Sequence, residues 1–76
     1  MSKIMKKPVV SESALEFGKY VRERRMELGI SLDKLWELTS INRSTLIDIE
    51  HGRDNLTLET IKKIFCAFDY VSNLKR

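Results

Sequence analysis

Histidine, cysteine and proline each occur once in the 76 residues, and glycine three times. So few turn-formers exclude an all-β fold built from many hairpins. Cys66 alone closes no disulfide within the chain. With no apolar stretch after the N-terminal lysines to serve as a secretory leader, a reducing cytoplasm is the expected setting. One histidine and one cysteine supply no ligand set at metal-binding spacing. Glu50 and His51 are adjacent, so on a helix they point to different sides and make no catalytic pair. Cys66, between Phe65 and Ala67, reads as a packed small side chain or a minor interface residue. No glycine-rich phosphate loop and no nucleophile–base constellation occurs, so neither an enzyme nor a cofactor is expected. No apolar run approaches the roughly 18–20 residues that a membrane span needs.

What is present is the composition of one small globular domain, 42% apolar and 33% charged. A chain of this size buries only roughly 60–65% of its surface, which excludes a large enclosed active site and makes self-association a natural source of stability. Fourteen basic residues face eleven acidic ones, a net charge of +3. The balance is uneven along the chain: +3 over residues 1–30, −2 over 31–52 and +2 over 53–76. A mildly basic chain suggests a polyanionic partner without specifying one.

Apolar periodicity supplies the elements. Residues 1–12, with Lys3, Lys6, Lys7 and Pro8, read as a flexible basic arm, either simply solvated or able to follow DNA along its phosphates or minor groove. Ser13 and Glu16 have capping-box spacing, and Leu15, Phe17, Val21 and Leu28 then recur at helical intervals. Leu28-Gly29-Ile30 is a helix stop. Ser31 caps a short helix carrying Leu32, Leu35, Trp36 and Leu38; Asn42 caps another over Arg43–His51, closed by Gly52. Thr57 caps a fourth with Leu58, Ile61, Ile64, Phe65 and Phe68 on one face. After Asp69, Tyr70-Val71-Ser72-Asn73-Leu74 alternates loosely, as a short strand or an extended tail would. The expected fold is all-α: a compact four- to five-helix bundle over 13–69, with residues 70–76 as a C-terminal tail or strand. Its core is expected to hold Phe17, Val21, Leu28, Ile30, Leu35, Leu38, Ile41, Leu46, Ile49, Ile61, Ile64 and Phe68.

Two short helices joined at Ser40-Ile41-Asn42 have helix-turn-helix spacing, spanning about residues 32–51. Around that unit, Phe17-Gly18-Lys19-Tyr20-Val21-Arg22-Glu23-Arg24-Arg25, Leu28-Gly29-Ile30-Ser31, Ile41-Asn42-Arg43-Ser44-Thr45-Leu46, Ile49-Glu50-His51-Gly52 and Asn55-Leu56-Thr57-Leu58-Glu59-Thr60-Ile61 stand in register. Together they resemble the Cro/phage-repressor (XRE) DNA-binding domains over about residues 15–70. The resemblance implies a lambda-repressor-like bundle and a dimeric transcription regulator, commonly a repressor, bound to double-stranded DNA. Arg43, Ser44 and Thr45 would approach bases and nearby phosphates, and Asp48 would be a second base-contacting residue. Asn42 and Arg53 would hold the backbone, and Arg25 with Glu50 would form a structural ion pair. By its own chemistry Ile47 suits a thymine methyl, and Asp48 suits cytosine N4 or an orienting contact to Arg43.

Three positions depart from the family pattern. Leu32 replaces a glutamine, Trp36 a small residue and Ser40 a glycine. Leu32 and Trp36 lie one turn apart. Trp36 is expected to fold onto the bundle, as aromatics at helical spacing do. The alternative is an exposed apolar surface, and with it an antitoxin-like or other protein-interaction module that binds a toxin or another regulator. Restriction–modification controller proteins and toxin-neutralising antitoxins are the two family subtypes that fit the size.

Overall fold

The computed structural model describes residues 12–53 and 56–74. Four helices follow one another: α1 (Glu12–Glu27), α2 (Leu32–Thr39), α3 (Arg43–Glu50) and α4 (Leu58–Leu74). Residues 1–11 of the expected arm lie outside the described residues, whereas Glu12, expected as its last residue, is already helical, one residue ahead of the expected Ser13 cap.

Each turn is closed by local chemistry. After α1, the Gly29 amide donates to Met26 O (3.1 Å) and the Ile30 amide to Arg25 O (3.2 Å), the paired bonds of a Schellman stop. The Ser31 hydroxyl accepts from the Lys34 amide and caps α2. At the other end of α2, Thr39 is buried. Its hydroxyl donates to Leu35 O (2.7 Å) and accepts from the Ile41 amide (3.1 Å), so one side chain ends the helix and starts the turn. Ser40 follows in the left-handed region at φ +62°, a conformation that favours glycine. Thr57 Oγ1 accepts from the Thr60 amide and caps α4.

The core lies where the four helices meet, with Val21, Leu35, Leu46, Ile49 and Ile64 fully enclosed. Leu28, Ile41 and Phe68 are buried around them, while Phe17, Ile30, Leu38 and Ile61 are half-buried. Ala14, Ala67 and Val71 join the buried set without having been expected there. Val71 exposes the main correction: among the described residues there is no strand, and α4 runs unbroken to Leu74. Val71 extends the stripe Ile64–Ala67–Phe68 by another turn, and burying it outweighs the weak β preference of a Tyr-Val pair.

One close approach sets the position of α3. A Cβ on Gly18, in the middle of α1, would collide with the carbonyl oxygen of Ile49 and come within 2.8 Å of Glu50 O. Only a residue without a side chain lets α1 run that near the C-terminal turn of α3. Beside it, Arg25 Nε donates to Glu50 Oε2 (2.8 Å) and Nη2 to Oε1 (3.3 Å), while Nη1 donates to Ile30 O (3.1 Å). The two side chains are only 15% and 6% exposed. This forked contact joins α1, the first turn and α3 at one point.

Candidate nucleic-acid interface

The α2–turn–α3 unit presents one free face. Leu46 and Ile49 are buried, and Thr45 is turned partly towards the bundle. Arg43, Ser44, Ile47, Asp48 and the C-cap His51 fall at helical spacing on the opposite strip, the first two and His51 exposed, Ile47 and Asp48 half-buried. Five of the side chains singled out in the sequence therefore share the unit's outer region: Asn42, Arg43, Ser44, Ile47 and Asp48. Thr45 flanks them, and Arg53 sits just past the helix.

Both ends of α3 are fixed. Asn42 Oδ1 accepts from the Ser44 amide and the Ser44 hydroxyl, each at 3.0 Å. At the C-terminus, the Gly52 amide donates to Ile49 O (3.0 Å) and the Arg53 amide to Asp48 O (2.8 Å), with Gly52 at φ +72°. A short helix that would fray alone is thus tied at both termini.

The ion pairs on the outer strip differ from the orienting contact expected between Asp48 and Arg43. Asp48 does not orient Arg43. It lies 3.8 Å from Arg53, and Arg43 Nε instead meets Asp33 of α2 at 3.1 Å. Both pairs are well exposed and so worth at most about 1 kcal/mol each. Arg43 can therefore be released to a better acceptor at little cost.

Leu32 and Trp36 part company. Leu32 packs against the core, but Trp36 stands 48% exposed and does not extend it. On this eight-residue helix Leu35 and Thr39 hold the inward positions, and Trp36 lies about 100° round the helix from Leu35. Cys66 likewise is exposed rather than packed. It lines a groove of about 740 Å³ between α2 and α4 with Leu38, Leu58, Ala67 and Tyr70, bordered by Lys62 and Lys63. On the other flank of α4, Phe65 meets Phe17 and Tyr20 edge-on, at ring separations of 6.0 and 5.8 Å.

Sequence reasoning passed over His51 except as a metal or catalytic candidate. Among the described residues no group of His, Cys, Asp and Glu could hold a metal ion. His51 is instead the exposed C-cap of α3, with Nδ1 2.8 Å from Ile47 O. Its spacing from Arg43 and Ile47 was the available signal. Asp33 was missed because its partner lies on another helix.

Among the described residues, no helix is long and apolar enough to cross a membrane. A helix-turn-helix family model matches residues 21–72. The crystal structure of the restriction–modification controller protein C.AhdI from Aeromonas hydrophila superposes with a TM-score of 0.74 at 32% identity, covering 78% of this chain and 89% of that one. No curated protein matches the sequence. With the matched region covering α2, α3, the second part of α1 and nearly all of α4, and with the outer strip of α3 left uncovered by the bundle, the chain belongs to the XRE-type helix-turn-helix family of DNA-binding transcription regulators.

Proposed function

We propose that this protein is a cytoplasmic, sequence-specific repressor that binds as a homodimer, each protomer laying α3 in the major groove. The observation that carries this reading is the outward strip of α3, backed by buried Leu46 and Ile49 and anchored at both helix ends. Arg43, Ser44, Ile47 and Asp48 face base edges, with Thr45 beside them. Asn42 and Arg53 hold phosphates at the two ends of the helix. Arg43 leaves Asp33 for a guanine or a phosphate, exchanging an exposed ion pair for a charge-assisted contact. The protein acts by binding, without chemistry of its own and without a cofactor. Its likeness to a controller protein supports a role beside a restriction–modification system.

Dimerisation is carried by α4, whose groove with α2 and exposed Leu58, Tyr70 and Leu74 offer apolar surface on one element. Two protomers so joined would address half-sites roughly 34–36 Å apart. Selection of bound duplexes from a random pool at low salt tests the reading. A palindromic motif with that spacing is expected, and a pool that stays unenriched overturns it. The exposed Trp36 favours a second reading, a protein partner such as a toxin held on α2. Salt separates the two, because duplex binding weakens steeply as salt rises and an apolar contact does not.

A further inference from the structure

A small cleft of about 280 Å³ opens beside the C-terminal turn of α3, lined by Arg22, Arg25, Leu32, Ile47, Glu50 and His51. Its charges are unequally satisfied. Arg25 and Glu50 neutralise each other across the cleft floor. Asp48 and Arg53, the charged groups next along α3 and its following turn, pair with one another. From α2 only the apolar Leu32 faces it. Arg22 has no ion-pair partner among the described residues, and it is exposed.

His51 lines the same cleft as Arg22, with one nitrogen already committed. Nδ1 lies 2.8 Å from the Ile47 carbonyl, which can only accept, so the ring proton sits on Nδ1 and Nε2 is the free nitrogen. Neutral, Nε2 can only accept and offers nothing to an anion; protonated, it donates with a full positive charge. A protonated His51 and Arg22 would set two like charges around one small space, and an anionic oxygen between them removes that conflict. The cleft adjoins the outward strip through Ile47 and His51. In the groove-bound arrangement the end of α3 approaches the groove wall, where the anion on offer is a backbone phosphate.

We propose that Arg22 and His51 form a phosphate-binding cleft, and that His51 Nε2 takes up a proton from solvent when a backbone phosphate of the bound duplex enters, so that DNA affinity rises as pH falls. This rests on the reading of α3 as the groove helix. Histidine is the side chain whose charge ordinarily changes between about pH 5 and 8, and the chain has one. Every imidazole effect is therefore this one.

The test uses the full chain and the duplex selected above, with Kd measured at constant ionic strength. The wild type is expected to bind about five- to tenfold more tightly near pH 6 than near pH 8, the gain from making one contact charge-assisted. His51→Gln should flatten that profile, and His51→Lys should bind tightly at both pH values. Arg22→Gln should weaken binding at both and reduce the salt slope by about one. Independently of any variant, the imidazole resonances of the wild type should titrate at higher pH when duplex is added. A flat wild-type profile, a pH profile that survives His51→Gln in a folded variant, or an imidazole titration unmoved by duplex overturns the cleft. Each of these leaves duplex recognition standing, whereas a wild type that binds no duplex at low salt removes both.

Discussion

Ser40 carries a cost that the rest of the turn does not. It holds φ +62° with a Cβ, and its hydroxyl makes no hydrogen bond within the described residues. Left-handed backbone costs an ordinary residue about 1–2 kcal/mol, while glycine gives back roughly half of that in unfolded-chain entropy. Ser40→Gly is therefore expected to stabilise the protein by about 0.5–1 kcal/mol, read as a raised urea midpoint with an unchanged slope. Glu50 is the opposite case. Its carboxylate takes both arms of Arg25 in a nearly closed setting, so Glu50→Gln leaves a guanidinium short of its counter-charge. A loss of roughly 3 kcal/mol is expected in the same measurement. The residue types at both positions were legible in the sequence, one as a departure from the family and one as a family pair. Their surroundings were not, because an αL angle and a depth of burial are properties of packing. Trp36 shows the same limit: helical spacing pointed inward, but Leu35 and Thr39 hold the inward positions.

At the level of elements, caps and stops located most helix ends, with Ser31, Asn42 and Thr57 at starts and Gly29 and Gly52 at ends, whereas the Ser13 expected to cap α1 lies inside it. They failed at the end of α4, where no capping residue marks a boundary and local alternation resembles a strand. The structure decides by extending the Ile64–Phe68 stripe to Val71. The candidate interface was half visible. The strip on α3 follows from helical spacing, but the Arg43–Asp33 and Asp48–Arg53 pairings join residues whose proximity no periodicity encodes. Because the Arg43 pair is exposed, replacing Arg43 should leave stability almost unchanged. Arg43→Ala should cost about 1–3 kcal/mol in operator affinity and broaden the selected motif, measured by titration of matched and mismatched duplexes. Gly18→Ala should act on the fold instead. Its new methyl must displace backbone carbonyls of α3 rather than a flexible side chain, and a clear drop in thermal midpoint is expected together with weaker duplex binding.

For the whole molecule, size and surface set the terms. Among the described residues of this 76-residue chain, five large side chains are completely enclosed, while Leu58, Tyr70 and Leu74 stay exposed on α4. Lone apolar residues on a surface are ordinary, but several on one helix beside an apolar groove favour self-association. If α4 joins the protomers, Tyr70→Lys should shift the sedimentation profile towards monomer and weaken operator binding, because two linked half-sites reinforce each other. The circular dichroism spectrum should not change, since Tyr70 is not part of the core.

The contact at Gly18 has a further bearing. What meets there is main chain against main chain, so the side chains on the far side of α3 take no part in that contact. Arg43, Ser44, Ile47 and Asp48 can then be rewritten while the scaffold beneath them keeps its shape. Such a helix works as an exchangeable typeface on a fixed press, able to acquire a new target sequence without having to evolve a new fold.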